Sequence, residues 1–288
     1  MVAACAKPAA PPREQASPAL WRAEAPEAGG GGTLYLLGSV HMGGDAQLDL
    51  GARVEKAWQS ADELVVEIDL NQLPPEEMVS LTRLYGKLTP PITLGNVISG
   101  ETQGQLQAWS GLRGIDPASF SSFKPWFVSF TIVQVELQLA GYDAARGVDR
   151  HFLDQAGARP VVALETVASQ LEMMDRLPAS LQELMLKDAL ARVDGFPVET
   201  EKLLEAWRRG DESRLEGLVF QPLDEFPELG VFYDLVFFQR NQSMARRLAQ
   251  LGGDAKTRFV VIGAGHMLGE QGVPALLARR GFQVSRVP

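Results

Sequence analysis

Leu34-Tyr35-Leu36-Leu37-Gly38-Ser39-Val40-His41-Met42-Gly43-Gly44 decides how the rest of the chain is read. A continuous apolar run ends in a glycine, and a histidine follows three residues later. Near the other end, Phe259-Val260-Val261-Ile262-Gly263-Ala264-Gly265-His266-Met267-Leu268-Gly269 repeats the design. Uninterrupted apolar runs of this length suit strands buried on both faces, as in a parallel sheet covered by helices. The 288 residues include three histidines, and two of them sit in this G-x-x-H context. The repetition predicts that the fold brings the two strand ends together around one site.

Working outward, Asp45 can cap a helix running to about Ser60, with Leu48, Val54, Ala57 and Trp58 on its inner side. Leu64-Val65-Val66-Glu67-Ile68 then reads as the next buried strand, parallel to the first because one helix separates them. Pro74-Pro75 opens a helix ending near Gly86. Further helices are expected around Gln103–Trp109, from Lys124-Pro125-Trp126 to about Ala140, and over about 145–155. Val161-Val162-Ala163-Leu164-Glu165 is the third buried strand. From Ala168 to Leu251 the pattern is helical, Phe259–Ile262 is the fourth strand, a helix runs from about Glu270 to Arg280, and Phe282–Val287 is a last strand. The expected fold class is α/β: a central mixed, largely parallel sheet with flanking helices and a large helical insertion between the third and fourth core strands. Residues 32–288 form one domain, and residues 1–31, rich in Ala, Pro and Gly, read as a flexible tether with a short strand around Leu20-Trp21-Arg22.

Composition narrows the function. Apolar content of 45% and charge of 22% support a sizeable core. A net charge of -9 argues against a nucleic-acid partner, which needs clustered Lys and Arg. No stretch approaches the roughly 20 apolar residues of a membrane span. One cysteine, Cys5, excludes an internal disulfide and a cysteine-based metal cage. Val2-Ala3-Ala4-Cys5 resembles the lipobox of bacterial lipoproteins, so Cys5 is either a lipid anchor, with the true start upstream, or an incidental residue in the tail.

Each of the four core strands finishes on or just after an ionisable side chain: His41, Glu67, Glu165 and His266. Ligands of an α/β sheet bind beyond the carboxyl ends of its parallel strands. A carboxylate in a run such as Val-Val-Glu-Ile must be compensated by a cation, hydrogen bonds or a shifted pKa. Two imidazoles and two carboxylates at one point make a divalent metal site of the Zn, Mn, Co or Fe kind. Gly38 and Gly263 are expected to free the backbone at the strand exits, and Gly43, Gly44 and Gly265 to let a ligand approach the main chain. A helix beginning near Gly269 would point amide donors at the same rim. Arg240 is either a salt-bridged helix arginine or a positive group in the pocket, and His151 is structural. The bland reading of the set is a buried hydrogen-bond network. Gly263-x-Gly265 lacks the third glycine spacing and the βαβ unit of a dinucleotide loop, and no P-loop, H-E-x-x-H or G-x-S-x-G occurs.

With both G-x-x-H stretches in hand, the chain resembles the TraB/PrgY/GumN family, relatives of the TIKI metalloproteases and, more distantly, of the erythromycin-esterase and ChaN-like proteins. The resemblance runs over about residues 20–288. It takes in Leu34–His41, Glu67 with Asp69, Lys124-Pro125-Trp126, Leu164-Glu165-Thr166 with Gln170, Arg240-Asn241 and Gly263–His266. It implies that His41, Glu67, Glu165 and His266 bind a metal ion (Mn, Co or Zn) or catalyse, with Arg240 nearby. The expected function is a metal-dependent hydrolase of the bacterial cell envelope, a peptidase by analogy, periplasmic or anchored, acting on a peptide or protein. In it one glutamate would help His41 and His266 hold the metal while the other served as general base, and Arg240 would steady the oxyanion. The alternative is a non-catalytic protein that binds a peptide signal, haem or a metal in the same pocket.

Overall fold

The two quoted apolar runs form neighbouring parallel strands. The structure is a computed structural model that describes residues 13–26, 30–44 and 47–288. Its strands are β1 (Arg13–Gln15), β2 (Leu20–Glu24), β3 (Thr33–Ser39), β4 (Gln47–Asp49), β5 (Glu63–Val66), β6 (Val161–Ala163), β7 (Thr257–Gly263) and β8 (Gln283–Arg286). Six of them make one sheet in the order β6-β5-β7-β3-β2-β8, and β1 pairs with β4. Strands β6, β5, β7 and β3 are mutually parallel, while β2 runs antiparallel to both β3 and β8. Strand β7, last of the four in sequence, lies between β5 and β3, with Val261 level with both Val66 and Leu37. The sheet is therefore mixed and largely parallel, as the apolar runs predict.

The alternation along β7 shows why these runs are continuous. Phe259 and Val261 enter a core with Leu37, Val54, Trp58, Leu64, Val148, Phe152 and Trp207. Val260 and Ile262 enter a second core with Leu34, Leu36, Val65, Met244, Leu248 and Leu277 on the opposite face. Trp58 meets Phe152 and Phe259 edge-on, at centroid distances of 5.2 and 5.6 Å. The helices are α1 (Gly51–Gln59), α2 (Pro75–Leu81), α3 (Leu94–Val97), α4 (Gly100–Arg113), α5 (Pro125–Leu139), α6 (Val148–Gln155), α7 (Val167–Asp175), α8 (Ala179–Ala191), α9 (Phe196–Arg208), α10 (Glu212–Glu225), α11 (Gly230–Tyr233), α12 (Gln239–Leu251) and α13 (Val273–Ala278). Helices α7 to α12 are the insertion expected between the third and fourth core strands. A core shared by α4, α5 and α8 joins it to the segment between β5 and β6.

Three boundaries differ from the sequence reading. Residues 13–24, expected within a tether ending at 31, hold two strands, and β2 is an internal strand of the sheet with Leu20 and Ala23 fully buried. Its short, partly polar run carries too little periodicity to announce that place. The helix expected from about residue 46 begins at Gly51, because Gln47–Asp49 pairs with β1 and Gly51 then takes a φ of 78°. The last helix begins at Val273, preceded by a 3-10 turn over Ala264–Met267. The proposed Asp45 cap and the Cys5 anchor lie outside the described residues.

At the amino-terminal end of the sheet, Glu63 accepts from Arg258 at 2.7 Å and from Lys256, while Arg258 also donates to Asp254 at 2.7 and 2.8 Å. Burial would raise the Glu63 carboxyl, but bonds from Lys256 and Arg258 hold it below its ordinary value. The Arg258 hydrogen bond, first among several causes, lowers Asp254 to about 2. Folded-state values below the unfolded ones give stability that is present above the ordinary carboxylate range and is lost as pH falls toward about 2. Glu63→Gln is expected to lower neutral-pH stability by about 1–3 kcal/mol and to flatten the acid limb of the urea midpoint measured against pH. An unchanged acid limb would contradict this.

Candidate functional site

Because β3, β5, β6 and β7 are parallel, their carboxyl ends share one edge of the sheet. His41 lies two residues beyond β3, Glu67 directly after β5, Glu165 two beyond β6, and His266 in the 3-10 turn after β7. The loop carrying His41 is bound to the start of α6. Gly43 and Asp143 exchange backbone bonds of 3.0 and 2.9 Å, and Val148 N donates to Val40 O at 2.9 Å. Asp149 completes the clamp: its Oδ1 accepts from Ser39 Oγ at 2.7 Å and its Oδ2 pairs with His41 Nδ1 at 2.8 Å.

His266 is fixed from the other side. Asn241 Nδ2 donates to the Gln271 carbonyl at 2.8 Å, which turns Asn241 Oδ1 toward His266 Nδ1 at 2.5 Å. An amide oxygen only accepts, so this Nδ1 carries the proton and Nε2 of the neutral ring presents a bare lone pair. That Nε2 faces Glu67 Oε1 at 3.6 Å, and Phe237 packs over the ring at a centroid distance of 5.4 Å. Around the position a Cβ on Gly263 would occupy, Glu67 Oε1 lies at 3.1 Å, His41 Nε2 at 3.2 Å and His266 Cδ2 at 3.5 Å. The two imidazoles thus approach within about 7 Å and face one space, whereas two nitrogens that ligate one ion stand about 3–4 Å apart, so a shared ion would have to draw the rings closer.

The second carboxylate is engaged differently. Arg240 Nε donates to both Glu165 oxygens at 3.0 Å, Nη2 donates to Glu165 Oε2 and Glu67 Oε2 at 2.8 Å, and Nη1 donates to the Val236 carbonyl at 3.0 Å. Gln170 Nε2 adds bonds of 2.9 Å to Glu165 and 3.4 Å to Glu67. Glu67 Oε1 accepts from the Gly263 amide at 2.6 Å. The structure therefore gathers His41, His266 and Glu67 around Gly263, and gathers Glu165 with Glu67 around Arg240. In this arrangement Arg240 and Glu165 position Glu67, with every nitrogen of the guanidinium donating within the protein. His151, paired with Gln155 at 2.9 Å, lies apart from the site.

These contacts set the protonation states. Burial would raise the Glu67 carboxyl, but His266, Arg240, His41 and the Gly263 amide hold it down at about 2. Burial, against Glu67 and Glu165 and with Arg240 and His41, lowers His266 to about 4. For His41 burial is the largest single cause and acts downward, but the hydrogen bond and charge of Asp149, and then Glu67, together outweigh it, raising the ring to about 9.

A cleft of about 640 Å³ opens onto this centre. Its floor is Ser39, His41, Glu67 and Gly263–His266. Its walls come from α5, α7, α9, α10 and the π-helical segment Asp234–Phe238 that precedes α12. Glu165 lies outside this lining, in a neighbouring hollow with Thr166, Ser169 and Ser243. Among the described residues no group of three or more His, Cys, Asp or Glu side chains is gathered to hold a metal ion where it stands. The donor chemistry of His41, His266 and Glu67 nevertheless fits one: two imidazoles fixed at Nδ1 by outer partners, a carboxylate oxygen, and a glycine in the space a Cβ would fill.

Asp149 was not legible in the sequence, because it lies 108 residues from its histidine and only the α6 clamp brings it there. Asn241 and Gln170 stood among the quoted family residues without a role. The glycines act otherwise than expected. Gly38, Gly263 and Gly265 have negative φ, so no unusual dihedral is needed at the strand exits. Gly43 permits close contact with the Arg146 carbonyl and Gly265 with the Phe237 ring. The amides nearest the rim belong to the 3-10 turn and not to a helix near Gly269.

Paired G-x-x-H histidines at the carboxyl edge of a parallel sheet, with a Glu–Arg–Glu ion cluster beneath them, define the class of protein. A family model described as the TraB/PrgY/gumN family matches residues 19–286, and the chain belongs to that family. It is 27% identical over 250 residues to "Uncharacterized protein YbaP" of Escherichia coli (strain K12), covering 84% of this chain and 87% of that one. It is 20% identical over 271 residues to an "Uncharacterized protein" of Treponema pallidum (strain Nichols), covering 90% and 80%. No solved structure matches.

Proposed function

We propose that the chain is a divalent-metal-dependent hydrolase of amide or ester bonds, a peptide bond included. The observation that carries this is the convergence of three ligand-type atoms: His266 Nε2 and Glu67 Oε1 face each other at 3.6 Å with His41 Nε2 beside them. Acceptors aimed at one another repel unless a cation lies between them. His41, His266 and Glu67 would hold the ion, which would supply Lewis acidity at a carbonyl and a more acidic water. Arg240 neutralises Glu67 and Glu165 and fixes the Glu67 carboxylate, while Phe237 packs over the His266 ring. A panel of small esters and anilides, assayed with Mn, Co or Zn and with a chelator, tests the proposal: hydrolysis that appears with metal and stops with chelator is expected.

A second reading rests on His41, whose pairing with Asp149 favours an imidazolium ion. That positive charge would stand in for the metal, and hydrolysis would then persist in chelator. Under the metal reading, Asp149→Asn leaves the ring in place with a weaker orienting partner. It is expected to lower metal affinity by about 10–100-fold, read by competition with a metallochromic indicator, with unchanged thermal stability. An envelope location, carried by the resemblance and the lipobox, is tested by fractionating cells that express the full-length gene.

A further inference from the structure

The cleft that leads to the three ligand-type atoms has an unusual chemical bias for a hydrolase of peptides. Phe127, Phe130, Met173, Leu203, Val219 and Val236 are typical of its walls, and the charged side chains in its lining (His41, Glu67, Arg240, His266) are confined to the centre. The wall elements are helical, so their main-chain groups are consumed within the helices. The edge strands β6 and β8 contribute no residue to the lining. An extended peptide needs a partner for an amide N–H and C=O at each residue, usually a sheet edge. Here it would find little beyond Thr131, Gln134 and Gln170. An aliphatic chain needs no such partner.

We infer that the cleft takes the uncharged aliphatic acyl arm of an ester or amide. This rests on the hydrolase reading for its chemistry and on the cleft alone for its recognition. Hydrolysis would add the oxygen of water to the acyl carbon and break its C–O or C–N bond. The proton passes to the departing alcohol or amine, and a carboxylic acid is released.

Recognition is measured without turnover, using alkyl methyl ketones from 2-butanone to 2-decanone, which carry the arm and the carbonyl but no cleavable bond. Calorimetric titration of the full chain is expected to show affinity rising about three- to fourfold per methylene. Phe130, 47% exposed, can be changed without endangering the fold, and Phe130→Asp should weaken 2-decanone at least tenfold while sparing 2-butanone. Affinity independent of chain length, or a blocked extended apolar tetrapeptide binding more tightly than 2-decanone, would overturn the inference. Chain-length-dependent binding with no hydrolysis of the matching esters would leave this inference standing and defeat the hydrolase reading instead.

Discussion

Arg240→Met is expected to cost about 3–5 kcal/mol of folding stability, the penalty for leaving buried charge without its partner. The guanidinium is the shared counterion of two carboxylates, Glu67 and Glu165, whose side chains are only 10% and 14% exposed. Methionine matches the volume but leaves two anions facing each other in a low-dielectric site. Urea denaturation at neutral pH reads the loss. Arg240→Lys restores the charge without the forked geometry and should recover part of it, which keeps the test informative if the methionine variant folds poorly. A methionine variant within about 1 kcal/mol of the wild type would show that the cluster carries no such burden.

The second large effect falls on activity. His41→Ala and His266→Ala are each expected to reduce kcat/KM by about 10²–10⁴-fold; the unfolding midpoint should change little for His41, whose side chain is 63% exposed, and should fall for His266, which is buried beneath Phe237. Because the two rings serve one centre, their effects should not add. The double variant should be about as inactive as either single one. Independent roles would instead multiply, giving a double variant lower by the product of the two factors. Steady-state rates of the four proteins on one ester decide between these outcomes.

The four strands that build the site were legible because strands buried on both faces must be apolar throughout, as Leu34–Leu37 and Phe259–Ile262 are. Parallel direction then placed the residues after them at one edge, so His41, Glu67, Glu165 and His266 could be read as a group. What lay beyond reach depended on tertiary packing. The strand around Leu20-Trp21-Arg22 was legible, but its internal place in the sheet is set by β3 and β8 rather than by its own pattern. Asp149 reaches His41 only because the Gly43–Asp143 pairing docks one loop on another. The division between the two glutamates depends on where α12 delivers Arg240. Sequence placed both acids at the site with equal claims; the guanidinium ties Glu165 to a supporting position and leaves Glu67 Oε1 facing the histidines.

The central claim, that His41, His266 and Glu67 together hold a shared cation, is tested most directly by titrating the metal-free protein with Co²⁺ and following its visible absorption. The wild type should take up one Co²⁺ per chain with the spectrum of an ion bound by nitrogen and oxygen, and His266→Ala should bind at least tenfold more weakly with an altered spectrum. A wild type that binds no divalent ion, or a variant with the same affinity and spectrum, would contradict it.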